Sequence, residues 1–316
     1  MTLPREFLYE LHKHFSGEIR TDLASRILYS TDASMYQIQP LGVVIPRTQE
    51  ELHAAVELAV KYKIPVLPRG AGTSLAGQAI GEALILDCSR WLDKILEINA
   101  GERYAIIEPG VVLSDLNKAA SKHGLMFGPD PASAERATMG GVIANNATGA
   151  HSIVYGMSAD HIIEADVILG DGSLARWGEV SSEERGKRKE EGLQDEVFHA
   201  VSKIREKYSE AIKQNYPRTW RNAAGYRLNY LLPWSPSAPA RWEGMYPPVT
   251  KLNLAPLLAG SEGTLAVIRR VKVNLVPKPK QTILAVLSYG SVAEACDDVP
   301  RLLTHDPSAI ELIPST

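Results

Sequence analysis

Three glycine-rich segments far apart in the chain hold the residues whose types and spacing could do chemistry. The first is Pro68-Arg69-Gly70-Ala71-Gly72-Thr73-Ser74, running on to Gly77 and Gln78, directly behind the apolar run Ile64 to Leu67. Gly70 and Gly72 can take φ > 0 at little steric cost, so consecutive N–H groups can converge on phosphate oxygens. Thr73 and Ser74 add hydroxyl donors. The segment therefore reads as an anion-binding turn, although a plain strand-to-loop turn fits it equally well when it is taken alone. Two better-known loops are excluded. The dinucleotide fingerprint needs glycine where Leu75 stands, and a Walker A loop needs Lys and Ser/Thr where Gln78 and Ala79 stand.

The second segment, Thr138-Met139-Gly140-Gly141-Val142-Ile143-Ala144-Asn145 to Gly149, follows Gly128-Pro129-Asp130-Pro131 and precedes Tyr155-Gly156. Its glycines and amides suit a backbone packed against a flat, polar-edged ring system, and close helix packing through small residues accounts for them too. The third is Gly260-Ser261-Glu262-Gly263-Thr264, opening the apolar run to Ile268. In this order the three segments resemble the flavin domain of the vanillyl-alcohol oxidase and p-cresol methylhydroxylase family, over roughly residues 40 to 280. Within that family the chain is most similar to the D-2-hydroxyglutarate, D-lactate and glycolate dehydrogenases, in particular the long forms fused to iron–sulfur domains.

The resemblance implies an α+β chain with the two-subdomain FAD-binding fold: a small α/β subdomain and a larger mixed or antiparallel sheet flanked by helices. It divides the chain into an N-terminal helical extension (1–38), an FAD-binding domain (39–280, with subdomains at about 39–98 and 99–280) and the start of a substrate-capping domain (281–316). The implied cofactor is FAD, held non-covalently by Pro68, Arg69, Gly70, Ala71, Gly72, Thr73, Ser74, Gly77, Gln78, Pro109, Pro129, Asp130, Thr138, Gly140, Gly141, Ala144, Asn145, Gly149, Tyr155, Gly156, Ile162, Glu262, Gly263 and Ile268. Covalent attachment would use a nearby His or Cys. The first loop has neither, and His151 is the residue that could supply one. The implied activity is oxidation of a 2-hydroxy acid by hydride transfer to flavin N5, with electrons passing on to an iron–sulfur domain, a quinone or a flavoprotein. A non-catalytic flavin-binding or electron-transfer module of a larger complex is the alternative. Arg221 and Tyr226 are the candidate substrate contacts, a structural salt bridge being the competing role for Arg221. No catalytic base is assigned. The final strand–helix–strand unit cannot enclose a core of its own, and the resemblance implies that an iron–sulfur cluster, any divalent metal and the family's capping-domain groups lie beyond residue 316.

Composition narrows the remaining classes. The chain has 316 residues, is 45% hydrophobic and 22% charged, and so is long enough for two units with real cores. A net charge of −3 gives no general attraction to nucleic acid. Cys88 and Cys296 stand far apart and read as buried free thiols, with no metal site written in their spacing. His12 and His14 point apart on a helix and read as solvated. His151 and His161 read as core or surface residues. No signal peptide or membrane-length apolar run is present, which places the protein in the cytoplasm or peripheral to the inner membrane through a partner.

The elements that position these loops follow from periodicity. Residues 4–15 carry Phe7, Leu8, Leu11 and Phe15 at helical spacing. Gly42 to Ile45, Ile64 to Leu67 and Leu84 to Asp87 read as strands. Between the first two, Thr48 and Glu51 form a capping box for a helix burying Leu52, Val56, Ala59 and Val60. Ile95 to Val111 reads as two strands. Ser114 caps a helix that turns Leu116 and Ala119 inward and ends at Gly124. Ile162 to Leu169 and Leu174 to Trp177 flank Gly170-Asp171-Gly172 as a hairpin. Glu183 to Glu191 reads as a solvated charged loop, followed by a helix burying Val197, Val201, Ile204 and Tyr208. Pro217 to Pro248 is non-periodic but holds Trp220, Trp234 and Trp242, which argues for a functional loop. Val271 to Val276 and Ile283 to Leu287 read as strands, then a helix near Val292 to Leu303 and a strand Ala309 to Ile313.

Overall fold

The structure, a computed structural model, describes residues 2–181, 192–217, 219, 221–232 and 251–314. The charged loop, Trp220, Trp234 and Trp242 lie outside the described residues.

The first unit runs α1 (Arg5–His14), β1 (Glu18–Arg20), α2 (Leu23–Leu28), β2 (Gly42–Ile45), α3 (Gln49–Lys61), β3 (Val66–Arg69) and β4 (Leu84–Asp87). Its sheet has the order β1-β2-β4-β3. Strands β2 and β3 run parallel to β4, and β1 runs antiparallel to β2. All residues of β2 and β4 are buried, as their uninterrupted apolar sequences require of strands covered on both faces. Thr48 caps α3 by accepting from the Glu51 N–H at 3.2 Å, but the box is half-formed. The Glu51 carboxylate accepts from the Ser16 N–H at 2.8 Å and the Arg47 N–H at 2.7 Å instead. The inner face of α3 is Leu52, Ala55, Val56 and Ala59, and Val60 is partly exposed because it falls at the rim of that stripe. Strand β3 begins two residues later than the apolar run suggests. The Ile64 N–H closes the end of α3 on the Ala59 carbonyl at 2.8 Å, with Lys63 at φ 55°.

The second unit contains β5 (Ile95–Asn99), β6 (Tyr104–Ile107), α4 (Leu113–Ser121), β7 (Leu125–Met126), α5 (Met139–Ala144), α6 (Ser152–Tyr155), β8 (Ile162–Ile168), β9 (Leu174–Trp177) and β10 (Glu179–Ser181). A long helix, Leu193–Asn215, then precedes β11 (Lys251–Asn253), β12 (Val267–Asn274) and β13 (Val276–Pro277). The main sheet has the order β5-β6-β12-β8-β9 and is antiparallel at every pairing. Strand β12, late in the chain, occupies its centre and so delivers the 260–264 loop to the middle of the molecule. Ile168 and Val267, at the ends of β8 and β12, pack into the core of the first unit, and Glu108 joins the units by accepting from Gln49 Nε2 and the Lys94 N–H, both at 3.0 Å.

Several local expectations are corrected. Val112 rather than Ser114 precedes the first turn of α4, and the inward face is Leu113, Leu116 and Ala120, an i, i+3, i+7 stripe that leaves Ala119 at its edge. The long helix buries Phe198, Val201, Arg205 and Ile212, while Tyr208 is exposed. Ile283 to Leu287 and Ala309 to Ile313 form no strand among the described residues. Ile283, Leu284 and Val286 are exposed, and an apolar run forms no ladder where no neighbouring edge pairs with it. The helix Val292–Leu303 is present, capped by Ser291. Cys88 is buried as expected, but Cys296 is exposed.

His161 lies in the core of the second unit, fully buried against Phe127. Its Nε2 stands 2.7 Å from the Tyr155 carbonyl, which can only accept, so Nε2 carries the proton and Nδ1 faces Asn274 Nδ2 at 3.4 Å. Burial holds its pKa below 6.5. As pH falls below that value the unfolded chain binds a proton that the native one refuses, so the stability contributed by neutral His161 is present at higher pH and lost on acidification. Urea midpoints should therefore drop between about pH 7 and pH 5, and His161→Asn should flatten that slope. The neighbouring Asp160, whose pKa burial raises above 3.8, has the opposite sign: its contribution is present at lower pH and lost as pH rises through the raised value. A slope unchanged by His161→Asn would refute the assignment.

Candidate functional site

The first loop is fixed from beneath by Arg69. Its Nη1 donates to the Tyr29 and Ala79 carbonyls at 3.0 and 2.9 Å and its Nη2 to the Thr31 carbonyl at 2.8 Å, with the guanidinium 5.2 Å from the Tyr29 ring. Burial lowers its pKa from 12.5, and Asp87, Tyr29 and Asp32 oppose that shift. The Arg69 charge is thus spent on three carbonyls, two of them in the N-terminal extension, and its contribution to the cleft is the wall. Gly72 has φ 67°, and its carbonyl accepts from the Ala33 N–H at 3.0 Å. A glycine is needed there, because a Cβ would stand 2.7 Å from Arg69 Nη2.

The second loop is brought opposite by α5. Gly140 lets that helix seat on Pro109, where a Cβ would come within 2.8 Å of the proline's own Cβ. Close packing through small residues is therefore present. The same helix also exposes its other glycine: a Cβ on Gly141 would have Thr138 Oγ1, at 3.9 Å, as its nearest neighbour. Thr138 is 3% exposed and its hydroxyl has no hydrogen-bond partner. This Oγ1 lies over Gly70, 1.9 Å from where a Cβ would be. An unpaired buried hydroxyl for which one glycine makes room, beside a second glycine that keeps the helix surface bare, marks a surface shaped for a polar-edged ligand. Asn145 Nδ2 ties this helix to the first loop by donating to Ser74 Oγ at 3.1 Å.

The third loop docks on the end of α5, where the Ala144 carbonyl accepts from the Gly260 N–H at 2.9 Å and the Glu262 N–H at 3.0 Å. Gly260 (φ 78°) lies against the Gly225 carbonyl, which a Cβ would approach to 2.5 Å, and Glu262 is itself left-handed at φ 51°. Together the loops border a cleft of about 970 Å³, counted out to its open mouth.

The cleft is lined by every expected cofactor residue except Gly77, Pro129, Asp130, Gly149, Tyr155, Gly156 and Ile162. Pro129 is buried outside the lining, and the other six make contacts of their own. Gly77 packs on Tyr36. Asp130 pairs with His151, and Gly149 fits so closely on Asp130 that a Cβ would meet its carbonyl oxygen at 2.0 Å. The Tyr155 carbonyl faces His161, Gly156 ends α6 at φ 76°, and Ile162 is buried in β8. Sequence reasoning missed Cys88, Ser133, Ala137 and Ala147 among others. Cys88 had a signal: it follows the Asp87 that pairs with Arg69, so strand register sets it beside the loop. Burial and the nearby Asp87 and Glu108 push its thiol pKa up, which disfavours a nucleophilic thiolate. Among the described residues no cluster of His, Cys, Asp or Glu could hold a metal, and no helix is long and apolar enough to cross a membrane.

Residues 40–178 match the family described as "FAD binding domain". The chain carries an FAD binding domain of this family. It is 32% identical over 315 residues to D-2-hydroxyglutarate dehydrogenase from Pseudomonas putida, covering 98% of this chain and 30% of that protein. It is 33% identical over 312 residues to glycolate oxidase subunit GlcD from Escherichia coli, covering 97% and 49%. The match to D-lactate dehydrogenase from Archaeoglobus fulgidus is 29% over 274 residues, covering 86% and 47%. The chain thus spans between about a third and a half of these relatives. A solved alkyldihydroxyacetonephosphate synthase superposes with a TM-score of 0.64 at 19% identity, over 98% of this chain and 47% of that one, and shares the fold. The unpaired Thr138 hydroxyl over Gly70 and the bare face of Gly141 fit the group that this family binds.

Gly260→Ala should lose of order 1–3 kcal/mol, from the left-handed φ and the contact with the Gly225 carbonyl. Gly170→Ala, with no atom within 4 Å of the new Cβ, should be near neutral. Urea denaturation of the two variants provides the comparison, and equal losses would show that the 260 contact carries no constraint.

Proposed function

We propose that the cleft holds FAD non-covalently and that the chain serves an FAD-dependent dehydrogenase acting on a 2-hydroxy acid such as D-2-hydroxyglutarate, D-lactate or glycolate. The pyrophosphate lies against the N–H groups and hydroxyls of Gly70 to Ser74, and the ring system lies between Thr138 to Asn145 and Glu262-Gly263. The unpaired Thr138 hydroxyl facing two glycines carries the placement. The substrate class follows from the relatives, whose names all denote oxidation of such acids. Bound there, FAD would supply the two-electron acceptor for oxidation of the hydroxyl-bearing carbon to the 2-oxo acid, with the hydroxyl proton passing to a base. This chain's residues bind the cofactor, keep its pyrophosphate at the glycine turn and narrow the ring end. Non-covalent attachment is supported by the Cys88 thiol, whose ionisation burial opposes, and by the engagement of His151 with Asp130.

Gly141→Leu decides the placement. The new side chain would enter the cleft from a helix that gains by losing a glycine, so the apoprotein should fold at least as stably while flavin affinity falls about ten- to a hundredfold, an overpacking cost of ~1–3 kcal/mol. Gly72→Asp, placing a carboxylate beside two phosphates, should weaken flavin as well. Titration of apoprotein with FAD, followed by flavin fluorescence, measures both. Full affinity in both variants would put the cofactor elsewhere. Acid precipitation should release all the flavin to the supernatant, and colour retained on the denatured chain would refute non-covalent binding.

A further inference from the structure

Among the described residues that line the cleft, the charged side chains are those of Arg69 and Glu262. The Arg69 guanidinium is committed to three carbonyls. Glu262 therefore brings the cleft its one lining carboxylate. The candidate substrate contacts Arg221 and Tyr226 stand outside the lining, hydrogen-bonded to Thr148 and Thr264.

Glu262 is exposed and left-handed, at φ 51°, between Gly260 at φ 78° and Gly263 at φ 80°. A glycine would take that conformation at no steric cost, whereas a residue with a Cβ strains it. The Glu262 N–H donates to the Ala144 carbonyl at 3.0 Å, which pins the backbone at the end of α5. Gln78 reaches the side chain from the first loop. Its Oε1 accepts from the Ala76 N–H at 3.2 Å, so the amide turns its Nε2 to Glu262 Oε1, at 3.4 Å. Among the described residues no Lys, Arg or His pairs with Glu262. A neutral amide thus steadies the carboxylate without cancelling its charge. A strained position is kept for a side chain that the fold does not otherwise use, and an outlier of this kind points to function.

We propose that the Glu262 carboxylate lowers the reduction potential of the bound flavin, an inference that rests on the flavin reading of the cleft. Thr138, over Gly70, precedes α5 and Ala144 ends it, a rise of about 9 Å along the helix. Glu262 is pinned at the Ala144 end, away from the Gly70 turn assigned to the pyrophosphate and beside the ring system. Two-electron reduction leaves negative charge on the pyrimidine end of the ring, and a carboxylate next to the ring opposes it. The oxidised form is favoured, so the reduced cofactor is a stronger donor to the next electron acceptor. Because Glu262 is exposed, solvent screens its charge and keeps the effect modest.

Sulfite reads this charge without turnover. It adds to flavin N5, its electron pair entering the ring, and the adduct carries negative charge at the same pyrimidine end. Glu262→Gln keeps the side chain's shape and removes its charge. On the FAD-loaded protein this variant should bind sulfite about threefold more tightly, measured by bleaching of the visible flavin band. Its two-electron midpoint potential, measured against a reference dye, should rise by about 14 mV, which is that factor at about 30 mV per tenfold. Glu262→Asp, which keeps the charge, should stay closer to the wild type in both readouts. The difference between the wild type and Glu262→Gln should shrink at about 1 M salt, where the screening length falls to about 3 Å. Absence of flavin binding by the wild-type protein would sink the cleft assignment itself. Flavin bound with an unchanged potential in Glu262→Gln, whether or not its sulfite or FAD affinity moves, would overturn this proposal alone.

Discussion

The carbonyl of Ala144 is the point on which the site depends. It ends α5 and accepts two N–H groups, those of Gly260 and Glu262, from a loop more than a hundred residues away. A carbonyl has two lone pairs, so one helix end can satisfy both donors and fix both the position and the direction of the incoming loop. That loop opens β12, which sits at the centre of the antiparallel sheet. The rigidity of the sheet core is thereby carried to the cleft wall. Gly260 and Gly225 leave the backbones bare where they touch, so the turn at 222–227 can enter the same junction.

The other wall is made differently. In the first unit the parallel pairing of β3 with β4 sets Arg69 opposite Asp87, and Arg69 then reaches back to three carbonyls. A half-buried cation held by carbonyl dipoles fixes the turn without requiring a carboxylate on the cleft side. An anion approaching Gly70 to Ser74 therefore meets N–H groups and hydroxyls, with the arginine charge behind them. The N-terminal extension takes part in this arrangement, since Tyr29 and Thr31 supply two of the carbonyls.

Much of this was legible in the sequence where the determinants are local. The glycine turn behind β3, the hairpin of β8 and β9 and the cap at Thr48 each follow from residues within a few positions of one another. The expectations that failed depend on partners elsewhere in the chain. Ile283 to Leu287 has the apolar run of a buried strand, yet a strand is a property of a pair. Tyr208 and Cys296 have core-type side chains, but the neighbours of their helices leave them exposed. At the site, the strongest motif residues line the cleft, while those drawn from flanking segments, such as Gly149 and Gly156, serve the backbone of the second loop itself. Glycine at a loop signals close approach, and the sequence does not say whether to a ligand or to another stretch of chain.

The same reasoning separates the two ends of the cleft by how freely each can change. The turn at Gly70 to Ser74 is set by glycines, strand register and a half-buried cation, and a change in any of them strains the backbone. Arg221 and Tyr226, outside the cleft's lining, are exposed side chains beside a turn that Arg227 anchors from the interior. Their replacement costs the fold little, because the anchor and the Ala144 junction remain. An architecture of this kind can keep one cofactor site while the groups facing a small acid vary. The three relatives compared here, named for D-2-hydroxyglutarate, D-lactate and glycolate, differ at the acid and share the domain's general sequence. The physical basis is that backbone geometry at the glycine turn is fixed by the fold, whereas exposed side-chain tips are not.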